Sequence, residues 1–200
     1  MTARIKMTSP KGTAVWPWLN EPDTRFDENG VYTVSLRLNE EEATAFMAKL
    51  KKVYLDGYEE QAKKQNKKKL KHANLPWVAH EDDQGNHTGM TDFKFKTKAS
   101  YTFENKKIDN RVLLIDAKRN PVTDQIGAGS SIRIGFEPYV WYVPSMGVGM
   151  SLRLKVVQVI ELVEFTKGGT TDEFDFKDED GFTSAATTSK TEEREDHFDF

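Results

Sequence analysis

The amino-acid sequence predicts a mainly β fold, in which five or six strands form a small barrel with one inserted α-helix. Three observations lead to this prediction. Several short segments alternate apolar and polar residues, and one longer segment repeats its apolar residues at helical spacing. Residues 168–200 lose both patterns and are acidic and rich in Ser and Thr. We therefore expect one folded domain over residues 1–167 and a disordered acidic tail over residues 168–200.

Strand periodicity is clearest in Val31–Leu38 and Phe93–Tyr101, where every second residue can face a core. In the second segment the intervening residues are Lys94, Lys96 and Lys98, so its other side is strongly cationic. The residues of that segment predicted to face the core are Phe93, Phe95, Thr97, Ala99 and Tyr101. Further strands are predicted over Val112–Ile115, Ser131–Phe136 and Val148–Val163, the last of which is long enough for one bent strand or two.

A helix is predicted to begin after Asn39, because Asn39 and Glu42 have the spacing of a helix N-cap and its capping-box partner. Apolar residues then recur every three or four positions, and the lysine-rich segment Lys63–Lys71 follows. The apolar positions are Ala43, Phe46, Met47, Leu50, Val53, Tyr54 and Tyr58. This set of elements suits an OB-fold barrel, and a β-sandwich is the alternative, since strand number does not fix topology.

The composition argues against a metal, a cofactor and a catalytic site. The chain has no Cys, and its four His lie far apart, so neither a disulfide nor a zinc site is expected. It contains no P-loop, no G-x-S-x-G and no H-E-x-x-H motif, so we predict a protein without enzymatic activity. The acidic segment Glu81–Asp83 is the best basis for the enzyme alternative, a nuclease, but such segments are usually solvated.

The sequence predicts a soluble, cytoplasmic protein. No run of about 18 or more apolar residues occurs, which excludes a membrane-spanning helix of ordinary length. Met1–Thr13 lacks the apolar core of a secretory signal. A membrane is therefore not expected as a partner.

Charge is distributed unevenly along the chain. Residues 170–200 hold 11 acids and 3 bases, whereas residues 1–169 hold 21 acids and 26 bases. A body of net charge +5 therefore precedes a tail of net charge −8. This asymmetry indicates a polyanionic partner for the body or a tail that contacts basic surfaces, and a purely solubilising tail is the alternative.

Aromatic and basic residues are interleaved as binding to single-stranded nucleic acid requires, with rings that stack on bases and cations that neutralise phosphates. Trp16 and Trp18 flank Pro17 in a segment that we expect to be a loop, where at least one ring is difficult to bury. Tyr139 and Trp141 share one side of their strand. For any single ring, a place in the barrel core is the alternative. The cations predicted to bind the nucleic acid are Lys94, Lys96, Lys98, Arg111, Lys118, Arg119 and Arg133.

A series of short motifs runs through nearly the whole chain. Its members are Gly12–Ala14 with a following aromatic pair and Pro22–Asp23, then Phe93–Lys96, Leu113–Asp116, Ile126–Ser130, Pro138–Trp141 and the terminal Asp199–Phe200. This ordered series, with its acidic tail that ends in Phe, resembles the single-stranded DNA-binding proteins of T7-type bacteriophages. The resemblance implies an OB-fold with an inserted helix and a role in phage DNA replication and recombination inside an infected bacterium.

The resemblance also implies roles for individual residues. It places the DNA-stacking tyrosine of the family at Tyr139, the companion tryptophan at Trp141 and an N-terminal DNA-binding cation at Arg4. In the family the tail contacts the phage DNA polymerase and the primase-helicase, and the family forms dimers, so a homodimer is compatible with the resemblance. The tail residues implied to bind these partners are Phe198, Asp199 and Phe200.

Two features depart from the family pattern. The neutral segment Thr183–Thr191 interrupts the acidic run of the tail, and the aromatic pair near the N-terminus is Trp16 and Trp18 where the family often has Tyr. The function predicted from the residues and the resemblance together is coating of single-stranded DNA without sequence preference. The alternatives are an adaptor that binds only proteins through the tail and an OB-fold protein that binds RNA.

Overall fold

The structure, a computed structural model, describes residues 4–164, so the whole predicted tail, residues 168–200, lies outside the described range. One helix, α1, spans Glu40–Lys64 within the described range. The strands are β1 (Met7–Thr8), β2 (Gly12–Asp23), β3 (Val31–Leu38), β4 (Trp77–Glu81), β5 (His87–Lys98), β6 (Ser100–Phe103), β7 (Lys106–Asp109), β8 (Leu113–Ile115), β9 (Ser131–Val143) and β10 (Gly147–Glu161).

Five of these strands close into a barrel. Strand β2 pairs with β3, β3 with β5, β5 with β10, and β10 with β9, which pairs again with β2. All of these pairs are antiparallel except β5 with β10. Five strands closed in this order form the Greek-key barrel of an OB-fold. The predicted mainly β barrel with one inserted helix is therefore confirmed.

The alternation of side chains in the barrel strands builds the core. Strand β3 has the predicted limits, and Val34 and Leu36 pair with Phe95 and Phe93 of β5. All four side chains are buried completely, whereas the intervening lysines of β5 are exposed. Each large apolar side chain that is fully buried contributes about 1.5–3 kcal/mol relative to an exposed one, so these pairs hold the outward side chains of the same strands in register.

Helix α1 begins where the sequence predicts. The backbone N–H of Glu42 donates to Asn39 Oδ1 at 2.9 Å, and the Asn39 amide donates to the Glu42 carboxylate at 3.0 Å. The predicted apolar stripe faces the barrel, and its buried members are Ala43, Phe46, Leu50 and Tyr54. Within residues 4–164, no helix is both long and apolar enough to cross a membrane.

The helix packs on β5 and β9. The ring centroid of Phe46 lies 5.0 Å from that of Phe93 and 5.8 Å from that of Phe136. Near the end of the helix, a Cβ placed on Gly57 would lie 2.6 Å from the Cβ of Val140, so only glycine permits this approach. Val140 therefore faces the helix, and the residues next to it in β9 face the opposite side of the strand.

The strand predicted over Phe93–Tyr101 extends beyond the end of the observed strand. Strand β5 ends at Lys98, and a separate hairpin of β6 and β7 begins at Ser100. Tyr101, predicted to face the core, is 48% exposed on this hairpin, so that prediction is wrong. The reason is that β3, the neighbour of β5, begins only at Val31, which pairs with Lys98. The ladder between the two strands ends there, with one further hydrogen bond from the Ala99 N–H to the Gly30 carbonyl at 2.8 Å.

The segment predicted as one bent strand or two forms the single strand β10. Its pairing with β9 is shifted by one residue after Leu154 and again after Val159. Such bulges bend a strand. The bend lets β10 pair with β9 along one edge and with β5 and then β8 along the other.

Candidate nucleic-acid interface

Tyr139 lies on the outer surface of the barrel, where a neighbouring strand fixes its position. It pairs with Ser151 of β10, and Arg153 is the next outward residue of that strand. The Arg153 guanidinium carbon lies 3.7 Å from the centroid of the Tyr139 ring. This cation–π contact covers one face of the ring, and the side chain remains 45% exposed. The arrangement offers a stacking surface beside a cation.

Trp141, on the same side of β9, is held more firmly. Its pairing partner is Gly149, and any Cβ at that position would overlap the indole ring. The indole Nε1 donates to Ser151 Oγ at 3.0 Å, and the side chain is half-buried. Trp141 therefore packs against β10 and stabilises the part of the surface that carries Tyr139.

A row of outward residues crosses the barrel from this site. Arg153 pairs with Lys96 of β5, Lys96 pairs with Thr33 of β3, and Thr33 pairs with Trp18 of β2. Adjacent strands lie about 4.8 Å apart, and residues paired in this way point to the same face. We name Tyr139, Arg153, Lys96 and Trp18 the barrel row. It places an aromatic ring at each end and two cations between them.

The three lysines of β5 project from the same face as the barrel row, but they are not equivalent. All three are exposed. Lys98 Nζ lies 3.3 Å from a carboxylate oxygen of Asp27. The hydrogen bond from the Asn29 backbone N–H contributes most to lowering the pKa of Asp27, and the hydrogen bond from Lys98 comes next. Within residues 4–164, no carboxylate lies within ion-pair distance of Lys94 or Lys96. These two are the better placed to receive a phosphate.

Trp16 and Trp18 are both exposed, which agrees with the prediction that at least one of their rings is difficult to bury, but the predicted loop is wrong. Both residues lie inside β2, where Val15 pairs with Ser35 and Trp18 pairs with Thr33, so the strand contains one extra residue. Trp16 has a φ of 49°, and Pro17 has no N–H to donate to a ladder, which together produce a bulge. The bulge leaves the Trp16 side chain 80% exposed.

An arginine links Trp18 to a second exposed ring. The Arg25 guanidinium carbon lies 4.9 Å from the centroid of Trp18 and 5.8 Å from that of Phe26, which is 91% exposed. Asp23 accepts two hydrogen bonds from the Arg25 side chain at 2.9 Å. These bonds, with one from the Arg25 backbone N–H, lower the pKa of Asp23 to about 2. The carboxylate thus holds the guanidinium beside both rings.

The remaining predicted cations lie elsewhere. Lys118 and Arg119 belong to a turn at Asp116. Gln158 pairs with Arg133, and its side-chain amide donates to the Asp116 and Ala117 carbonyls. These bonds hold the turn near Arg133. Arg133 lies six residues from Tyr139 along β9, about 20 Å at the usual rise of a strand. The structure therefore does not bring this group together with the barrel row.

Two further predicted cations flank the barrel strands. Arg111 is exposed in the connection between β7 and β8. Arg4 is exposed and precedes β1, in which Met7 pairs with Phe136 of β9. Since the pairing is antiparallel, the chain before Met7 continues toward the Tyr139 end of β9. Phe198, Asp199 and Phe200 lie outside the described residues.

Sequence reasoning missed Arg153, Arg25 and Phe26. The outward position of Arg153 could have been predicted, because Arg153 lies between the apolar Leu152 and Leu154 in an alternating segment. The exposure of Phe26 could also have been predicted, since a phenylalanine in the polar segment before β3 is difficult to bury. Within residues 4–164, no cluster of three or more His, Asp or Glu side chains is arranged to hold a metal ion.

Comparison with known proteins identifies the family. The sequence model of the family described as single-stranded DNA-binding protein, bacteriophage T7, matches residues 11–162. The chain belongs to this family. A relative from Enterobacteria phage T3, a single-stranded DNA-binding protein, is 28% identical over 210 aligned positions, which cover 94% of this chain and 89% of the relative.

Solved structures of phage single-stranded DNA-binding proteins share the fold. Gp2.5 of bacteriophage T7 superposes with a TM-score of 0.69 at 23% identity and covers 92% of this chain and 100% of its own. The protein of bacteriophage Enc34 in complex with single-stranded DNA superposes with a TM-score of 0.58 at 13% identity, over 80% of this chain and 88% of its own. At these identities the likeness concerns the fold.

Proposed function

We propose that this member of the family coats single-stranded DNA, without sequence preference, during phage DNA replication and recombination. The barrel row carries the proposal, because it combines exposed rings with cations on one continuous face. Unpaired bases stack on aromatic rings with roughly 1–3 kcal/mol per base, and every base has a face that can stack. Such a surface binds DNA of any sequence.

The proposed site separates the two tasks of binding. Tyr139 stacks a base while Arg153 fixes the ring, and Trp18 with Trp16 stacks bases at the other end of the barrel row. Lys94 and Lys96 neutralise phosphates between these ends. The proposed role is binding and not catalysis, since it requires no reaction at a base or a phosphate.

The second part of the proposal concerns partner proteins. We infer that the tail recruits the phage DNA polymerase and the primase-helicase through its acidic residues and Phe200. Its net charge of −8 and its terminal aromatic residue support this inference. A buried aromatic anchor within a rim of charges is the usual form of a binding hot spot. A homodimer is a further prediction of the family resemblance.

Fluorescence anisotropy of a labelled oligo-dT of about 16 nucleotides tests the DNA-binding function, with duplex DNA and RNA of equal length as controls. We expect tight binding to oligo-dT, weak binding to the duplex, and a decrease of log K with log salt of about 0.7 per phosphate contacted. Absence of oligo-dT binding at low salt would refute the proposal. Tighter binding to RNA than to DNA would replace DNA with RNA as the ligand.

A further inference from the structure

The β6–β7 hairpin presents two exposed aromatic rings on one face. Tyr101 is 48% exposed and Phe103 is 58% exposed. Their cross-strand partners are Ile108 and Lys106, and directly opposed residues of an antiparallel pair share a face. The hairpin therefore has one face with two rings, an isoleucine and a lysine.

The two rings do not serve the barrel core. The hairpin forms a separate two-stranded sheet, and no aromatic ring of residues 4–164 pairs with Tyr101 or Phe103. A hairpin of two strands is marginally stable alone and normally gains stability by packing its apolar face on a domain. Here both rings of that face are exposed to solvent, which is typical of a binding surface.

The charge around these rings fits a polyanion. Residues 98–111 hold four basic and two acidic side chains. Lys106 is exposed on the face of the rings, and Lys107, which pairs with Thr102, is exposed on the other face. Lys98 and Arg111 flank the hairpin. Exposed rings beside cations are the combination that binds single-stranded nucleic acid, whereas an apolar protein partner would not require the cations.

Hydrogen bonds fix the base of the hairpin at the end of β5. The Asn110 side-chain amide donates to the Lys98 carbonyl at 2.7 Å and to Thr97 Oγ1 at 2.9 Å. The Asn110 N–H donates to the Ala99 carbonyl at 2.7 Å. The hairpin therefore begins where the exposed lysines of β5 end, and a strand of DNA that follows those lysines reaches its rings.

We propose that the β6–β7 hairpin is a second contact for single-stranded DNA, in which Tyr101 and Phe103 stack bases and Lys106 binds a phosphate. This contact lengthens the DNA segment that one protein molecule covers beyond the barrel row. The inference rests on the proposed function, because it extends the same bound strand.

Oligonucleotides of two lengths test the hairpin separately from the barrel row. We choose oligo-dT of about 8 and about 16 nucleotides, both within the range of site sizes known for OB-folds. The double variant Tyr101→Ala with Phe103→Ala should bind the long oligonucleotide about tenfold or more weakly, which corresponds to about 1.4 kcal/mol or more, and the short one within about twofold of the unmodified protein. Lys106→Gln should flatten the salt slope for the long oligonucleotide by about 0.7, the value of one phosphate contact.

Two controls separate stacking from loss of structure. Leu55→Ala removes an exposed apolar side chain from α1 and should change neither affinity. Tyr101→Phe with Phe103→Trp keeps two stacking rings and should retain binding of the long oligonucleotide. Equal affinity of the Ala double variant and the unmodified protein for the long oligonucleotide would overturn the inference, and so would equal losses at both lengths. If the unmodified protein bound neither length, the proposed function itself would be wrong.

Discussion

The guanidinium group of Arg153 lies over the ring of Tyr139, with its central carbon 3.7 Å from the ring centroid. Strand pairing sets this contact, because Arg153 is the next outward residue after the partner of Tyr139 in β10. A ring that is fixed before DNA arrives loses little conformational entropy on binding. In the proposed site the pair would unite a prepared stacking surface with a cation that is available to a phosphate.

Tyr139→Ala should weaken binding to oligo-dT by roughly 1–3 kcal/mol, the value of one stacked base. Tyr139→Phe keeps the ring and should bind normally. Anisotropy titration measures both variants, and circular dichroism verifies that they are folded, as expected for a side chain at an exposed position. If folded Tyr139→Ala binds oligo-dT as the unmodified protein does, Tyr139 has no place in the site.

Trp141→Ala should behave differently and lower the stability of the fold. The indole packs on Gly149 and donates to Ser151, so its removal leaves a gap on β10 and an unpaired hydroxyl. Since the ring is half-buried, we expect a loss of about 1–3 kcal/mol in the free energy of unfolding, less than for a fully buried Trp. Urea denaturation measures this loss, and Tyr139→Ala is the matched control. An unchanged midpoint would show that Trp141 does not stabilise the fold.

The lysines of β5 should contribute unequally to the salt dependence of DNA binding. Lys94→Gln with Lys96→Gln should flatten the slope of log K against log salt by about 1.4, at about 0.7 per phosphate contact. Lys98→Gln should have a smaller effect, because Lys98 is already paired with Asp27. Lys51→Gln with Lys52→Gln, on exposed positions of α1, is the control and should leave the slope unchanged. Loss of affinity in the first variant without a change in slope would argue against phosphate contacts.

Acid should release Arg25 from Asp23 only at very low pH. The Arg25 hydrogen bonds lower the pKa of Asp23 to about 2, from the ordinary value of about 4. A lowered carboxyl pKa contributes stability above the ordinary pKa, and that stability is lost as the pH falls through the folded-state value. The difference in free energy of unfolding between the unmodified protein and Asp23→Asn should therefore be constant above pH about 4 and disappear toward pH about 2. A difference that disappears near neutral pH would contradict this origin.

Strands with uninterrupted alternation could be predicted from the sequence. Val31–Leu38 has its predicted limits, and Asn39 caps the helix, because local patterns determine both features. Strand β2 could not be predicted in this way, since the bulge at Trp16 and Pro17 breaks its period. The barrel order of the strands depends on contacts between distant segments, which periodicity does not describe.

The candidate site could be predicted in part. Tyr139 and the lysines of β5 follow from alternation, because a residue between two core residues must face outward. That Arg153 covers Tyr139 depends on the register of β9 with β10, in which Tyr139 pairs with Ser151, and alternation alone does not give this register. Arg133 and Tyr139 face outward from one strand, yet their separation along β9 places them in different groups of side chains.

Deletion of the tail after Gly169 should raise the affinity for DNA and abolish recruitment of the polymerase and the primase-helicase. The deletion removes 11 acids and 3 bases. A segment of net charge −8 tethered to a body of net charge +5 should have an effective concentration of about millimolar order at the cationic face, and we therefore expect it to compete with phosphate. Gel shifts at several salt concentrations measure this competition. Unchanged DNA affinity of the truncated protein at low salt would show that the tail does not occupy the cationic face.

Removal of Phe200 alone should spare DNA binding and damage partner binding. A terminal ring beside a carboxylate can enter an apolar pocket rimmed by basic residues, and such buried anchors provide most of the energy of an interface. The charge of the tail is unchanged by this deletion, so its competition with DNA should persist. Pull-downs with the polymerase and the primase-helicase measure the effect, and Phe200→Trp, which keeps an aromatic end, is the control. If the protein without Phe200 retains both partners, the acidic residues and not the terminal ring recruit them.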